Sequence, residues 1–160
     1  MTAKYDVEIF LDEIESHLKS YLNTKLAEID SEKDDGITLD TINSNAYVVQ
    51  SMGENVVNYD PFVFIGISSL SGNASGPVVA QEVTAEIDVI MFDKQDKNSI
   101  TKLWRYQRAL TEVVNDYYFR ILRTRGKLVV TGLTPVSLTA MNDDRPYKAI
   151  GIEIQTDIIN

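Results

Sequence analysis

The chain has 160 residues, 44% of them apolar and 24% charged, which sets one globular domain with a real core as the expectation. It holds one histidine and no cysteine, which excludes disulfide staples, thiolate zinc sites and cysteine nucleophiles. The formal net charge of −9 argues against wrapping nucleic acid tightly, since that demands a basic footprint.

That charge is unevenly placed. The first 60 residues hold 13 of the 24 acids and 4 of the 15 bases, whereas residues 61–160 hold 11 of each. Such a surface keeps DNA at a distance or meets a basic partner, and solubility alone accounts for it equally well. The stretch Met1–Asp6 is polar and acidic, unlike a secretory signal, and no apolar run approaches the roughly 20 residues of a membrane helix. A soluble protein made in the cytoplasm, with no membrane partner, is expected.

In chain order, residues 5–29 carry Val7, Phe10, Leu11, Ile14, Leu18, Tyr21, Leu22, Lys25 with Leu26, and Ile29 at three-and-four spacing, which predicts an amphipathic helix. Asp6, Glu8, Asp12, Glu13 and Glu15 load its N-terminal half, where the helix dipole favours negative charge. Asp30–Gly36 is expected to end the helix as a charged, mobile loop over about 30–37. A short strand is expected over 46–51. Residues 61–67, apolar on both faces, are expected to lie inside the sheet. Ser68–Gly76 is predicted to be a pliable loop, with mobility over about 69–78. From Val83 the odd positions Val83, Ala85, Ile87, Val89 and Met91 are apolar, and Thr84, Glu86 and Asp88 alternate with them. That period of two predicts a strand over 79–92 with one buried and one wet face. The wet face turns apolar at Ile90 and Phe92, so a cover is expected at that end.

Asp93–Lys97 is a charged turn, and Asn98 or Ser99 can cap a second helix over 99–122. Its stripe is read as Ile100, Leu103, Trp104, Gln107, Leu110, Val114, Tyr117, Tyr118, Ile121 and Leu122, with Tyr106 off it. Gly126 is a plausible terminator. Strands over 127–139 and 148–158 then enclose a turn at Met141–Pro146, mobile over about 140–147. The expected fold class is α+β: a single domain over 1–160 in the order αβββαββ. A mixed, mostly antiparallel sheet of four to five strands would pack against two long helices.

Site chemistry is sparse. With Gly36 at the sixth position of a calcium loop, Lys33 takes a ligand position and Ile42 replaces the closing carboxylate, which defeats the motif. His17 lies beside the first helix's stripe, where a structural role outweighs metal ligation or a catalytic triad. Gly72–Gly76 lacks a phosphate-loop lysine and leads into a strand. Asn73-Ala74-Ser75 matches a glycosylation acceptor that matters only after secretion. Arg120, Arg123, Arg125 and Lys127 complement a helix C-terminus and the acidic first third as readily as they bind phosphate. Asp143 and Asp144 are adjacent in a turn and point apart, which disfavours a shared acid–base site. No catalytic residue, cofactor or metal is therefore expected. The residues expected to contact a subunit or partner are Leu70, Asn73, Pro77 and Val78 in the loop, Ile90 and Phe92 on the wet face, and Tyr106 off the helix stripe.

The Tyr5–Ile29 helix, the strands Phe62–Ile67 and Val79–Phe92 around a long loop, the Ser99–Leu122 helix and the two closing strands together resemble the tail terminator and neck proteins of long-tailed bacteriophages. The likeness is one of layout and spans nearly the whole chain. It implies a structural virion protein without enzymatic activity, forming a ring, typically a homohexamer, at the head-facing end of the tail tube. There it would stop tube polymerisation and offer the surface that joins tail to head. The implied partners are further copies of the chain, the tail tube protein, a head–tail connector or other neck protein, and a sheath protein if the tail contracts. DNA would pass through the hole without specific binding. Another neck, head-completion or tail tube subunit is the alternative the same layout allows.

Overall fold

The computed structural model describes residues 6–50, 58–73, 80–92, 97–116, 129–140 and 146–159. Helix α1 (Val7–Lys33) starts where the Asp6 carboxylate accepts the Ile9 amide at 3.0 Å, which satisfies one orphan donor of the first turn. It stops at Asp34, whose backbone is left-handed (φ 42°, ψ 42°) and whose amide returns to the Asp30 carbonyl at 3.1 Å. Phe10, Leu11, Ile14, Leu18, Leu22, Lys25, Leu26 and Ile29 form its buried stripe. The helix thus runs a turn past the expected end, and residues 30–33 are helical where a loop was expected.

Tertiary partners hold that extra turn. Asp30 accepts the Leu39 amide at 2.9 Å, and Glu32 receives both terminal nitrogens of Arg108 from the second helix. The segment that follows is tied down as well. Asn23 exchanges two hydrogen bonds with the backbone of Ile42, accepting at 2.8 Å and donating at 2.9 Å. Arg105 reaches the Asp35 carboxylate and the Ile37 carbonyl. These contacts replace ladder bonds that an irregular segment cannot make for itself.

The remaining elements are β1 (Tyr47–Val49), β2 (Phe62–Asn73), β3 (Ala80–Phe92), α2 (Ser99–Asp116), β4 (Val129–Ala140) and β5 (Pro146–Ile159). The chain is α+β in the order αβββαββ, with one five-stranded sheet ordered β1-β2-β3-β5-β4. Only β1–β2 is parallel; the other three pairs are antiparallel. α1 meets β1 and β2, α2 meets β3, β4 and β5, and the two helices pack on one another.

The alternation in β3 places Val83, Ala85, Ile87 and Val89 in the core and leaves Thr84, Glu86 and Asp88 partly exposed. Cross-strand neighbours share a face. Ile90 therefore stands with Phe62 and Ala149, and Phe92 with Tyr147, whose rings are 4.4 Å apart. The chain itself supplies the cover expected at that end.

α2 differs from its expected stripe. Leu103, Tyr106, Ala109, Leu110, Val113 and Val114 are buried, while Trp104 is 61% exposed. The helix lies against both the sheet and α1, so its buried arc turns towards Tyr106 and Val113 and leaves Trp104 outside. β2 also departs from expectation. Ser68–Asn73 continue the strand past Ile67, paired with β3 through a register shift between Ile67 and Ser69. A chain whose neighbour offers a ladder has more backbone bonds to gain by extending than by looping.

Candidate functional site

Among the described residues the sheet has two edges without a strand partner. β1 accompanies β2 only from Val63 to Ile65, and the Gln50 amide closes that ladder on the Ile65 carbonyl at 2.8 Å. β3 pairs with β2 as far as Asn73↔Ala80. Among the described residues no strand lies on the other side of β2 beyond Ile65. Ser68 donates to the Thr84 carbonyl at 3.2 Å across the register shift, which steadies the strand there. Ser68–Gly72 are exposed, with Leu70 at 54%.

The opposite edge is β4, whose only partner among the described residues is β5. Its ladder is broken between Thr134 and Ser137, around Pro135, which has no amide hydrogen to give. The Gln107 side chain of α2 fills the gap, donating to the Thr134 carbonyl at 2.8 Å and the Gly151 carbonyl at 2.7 Å. Leu133 precedes that tie on the strand and Trp104 precedes it by one turn on the helix; each is 61% exposed. Among the described residues, Leu70 is the exposed large apolar side chain of β2, Leu133 that of β4 and Trp104 that of α2.

Neither edge is charged. Residues 61–81 and 128–142 are the two longest runs without an acidic or basic side chain in the sequence. Exposed edges usually carry lysine or an inward charge against unwanted pairing. Here, among the described residues, Pro135 and the register shifts are the blunting devices. This signal was present in the sequence, but hydrophobic periodicity, which finds elements, does not count missing charges.

The outer face of the sheet, away from the helices, carries a second feature. Glu86 and Glu153 stand directly opposite one another, with Asp88 next to them on β3. Burial first, then a hydrogen bond that the protonated Asp88 donates to the Glu86 carboxylate and the charge of Glu86, push the Asp88 carboxyl up to about 7. The Thr134 hydroxyl works in the other direction. Asp88 lies over Gly151, where a Cβ would collide with its carboxylate and with the Ile87 carbonyl. Phe64 covers Gly66 in the same way, its ring 2.8 Å from where a Cβ would stand. The face thus gathers three neighbouring carboxyls, one of them held over Gly151.

Of the residues expected to make contacts, Leu70 is exposed and Asn73 ends β2 opposite Ala80. Pro77 and Val78 lie outside the described residues. Ile90 is buried and Phe92 half-buried within the chain itself. Tyr106, 1% exposed, is a core residue whose hydroxyl donates to the Asp40 carbonyl at 2.9 Å, so it cannot meet a partner from there. The exposed aromatic of α2 is Trp104.

His17 sits between the helices, Nε2 3.4 Å from the Val113 carbonyl and its ring 4.9 Å from that of Tyr21. Burial draws its pKa below 6.5. The Arg120–Lys127 cluster and the Asp143–Asp144 turn lie outside the described residues. Among the described residues no group of three or more histidine and carboxylate side chains is placed to hold a metal, and no helix is long and apolar enough to cross a membrane. Comparison with protein-family models and with curated protein sequences finds no match to this chain.

Proposed function

We propose that this protein is a structural subunit of a bacteriophage neck. Copies close into a ring at the head-facing end of the tail tube, end tube polymerisation and form the surface that joins tail to head. The observation that carries this reading is a pair of uncharged strand edges without a partner among the described residues, with Leu70 exposed on β2, Leu133 on β4 and Trp104 on α2, in a chain of net charge −9. Apolar surface beside unpaired backbone is the equipment of an assembling subunit. The acids of α1 support it further, because a negative wall repels DNA phosphate and lets the genome pass. No bond is made or broken in this role.

The test is assembly itself. Light scattering and negative-stain electron microscopy of the purified chain, alone and with purified tail tubes, should show single rings or tubes capped at one end. A monomer that leaves tube growth unaffected would overturn the proposal. Stacked filaments would instead make the chain a tube subunit.

A further inference from the structure

Glycine follows aspartate or asparagine at one place in the chain, Asp35–Gly36. The pair carries a slow reaction of its own. The Gly36 amide nitrogen, unhindered by a side chain, can attack the Asp35 carboxyl carbon. The carboxyl hydroxyl leaves with the amide proton as water, and a five-membered succinimide closes. Water then opens the ring. Breaking the bond to the former side-chain carbonyl restores aspartate, whereas breaking the bond to the main-chain carbonyl routes the backbone through the side chain as isoaspartate. The sum is an isomerisation that needs no co-reactant. Two conditions set its rate: the carboxyl carbon must be free to turn onto the nitrogen, and the carboxyl must be protonated, since a carboxylate has no hydroxyl to lose.

Water has access to the pair, because Asp35 and Gly36 are exposed just past the end of α1. The fold opposes both other conditions. Arg105 of α2 donates through its two terminal nitrogens to the two Asp35 oxygens, and the Ile37 amide donates to Oδ1 at 3.1 Å. A planar guanidinium facing a carboxylate fixes its orientation. The same contacts, Arg105 first and Ile37 second, hold the Asp35 carboxyl below its ordinary pKa and so keep it ionised. Arg105 is itself buried and donates to the Ile37 carbonyl at 3.1 Å, so the grip is anchored in the fold. We propose that Asp35–Gly36 is a modification site open to isoaspartate formation, and that Arg105 holds it closed in the folded chain. The change would undo its own restraint. Isoaspartate adds a methylene to the main chain and displaces the carboxylate, so Arg105 can no longer hold it together with the Ile37 carbonyl. The segment that Tyr106 ties at Asp40 and Asn23 ties at Ile42 then loses its anchor nearest α1.

The test is a timed incubation of the purified chain in mildly acidic buffer at body temperature. Proteolysis, separation of the isomeric peptides and electron-transfer fragmentation then measure isoaspartate at Asp35. The folded wild type should form it about tenfold or more slowly than the same chain in guanidinium chloride, and folded Arg105→Met should form it about threefold or more faster than folded wild type. Arg108→Met removes the neighbouring arginine's pair with Glu32 and leaves Asp35 gripped, so it should stay as slow as the wild type. Near-ultraviolet circular dichroism checks that each variant is folded. Arg105→Lys, which keeps the charge but cannot bridge both oxygens, takes the place of Arg105→Met if that variant is unfolded. Equal rates in the folded and unfolded wild type would show that the fold does not protect the pair. A folded Arg105 variant as slow as the wild type, or Arg108→Met as fast as Arg105→Met, would show that Arg105 is not what holds it. A chain that forms no isoaspartate at Asp35 even in guanidinium chloride has no such site. Each of these outcomes overturns the proposal, and none depends on whether copies form a ring.

Discussion

Gly151 shows how far one position can constrain this sheet. It stands where β5 approaches β3 so closely that a methyl group would strike the Ile87 carbonyl and the Asp88 carboxylate. Backbone cannot yield as a flexible side chain would, so Gly151→Ala should destabilise the fold by about 1–3 kcal/mol, read from urea melts. Neighbouring Asp88 makes a different prediction. Its carboxyl titrates at about 7 in the folded chain against an ordinary 3.8, so the native state binds the proton more tightly than the unfolded one. The stability tied to that proton is complete below about pH 4 and is lost as pH rises through 7. Asp88→Asn should therefore be neutral at pH 4. Its advantage over the wild type should grow to about 1–2 kcal/mol above pH 7, once solvent screening of a partly exposed group is allowed for. Melts across that range check it, and a difference that stays flat would mean that the carboxyl ionises as readily in the folded chain as in the unfolded one.

Among elements, β4 depends most on a single side chain. Gln107 supplies two donors where the β4–β5 ladder is interrupted, and its replacement by leucine leaves the Thr134 and Gly151 carbonyls without them. Gln107→Leu should cost about 1–3 kcal/mol and raise hydrogen exchange along β4 more than along β3. Asn23 does comparable work for the segment after α1, holding Ile42 by both its amide and its carbonyl. The sequence shows neither role. A glutamine on a helix and an asparagine beside a stripe read as solvated polar residues until their partners, 44 and 19 positions away, are brought to them. The strands β3 and β5 were legible because the pleat imposes its period locally. The extension of β2 to Asn73 was not, because Ser68-Ser69-Leu70-Ser71-Gly72 has no pattern of its own and follows β3.

Across the whole molecule, charge and shape act together. If copies assemble as proposed, a chain of net charge −9 should associate more readily as salt screens the repulsion between its acidic surfaces. Light scattering from low to moderate salt should show the assembled fraction rising; a fall would mean that ion pairs hold the contact. Ile87, buried at the centre of the middle strand, tests the core independently. Ile87→Asp places an unpaired charge there and should abolish cooperative folding, seen as loss of the near-ultraviolet circular dichroism signal.

The two helices, the alternating strands, the element order and the neutrality of residues 61–81 and 128–142 are all written in the chain, because period and composition exist before it folds. Packing settles which side of α2 faces inward, exposing Trp104 and burying Tyr106, since that depends on what presses against the helix from two directions. Packing also settles which strands lie at the margins of the sheet. Edges are defined by the neighbours a strand lacks, and no local stretch of sequence records an absent neighbour.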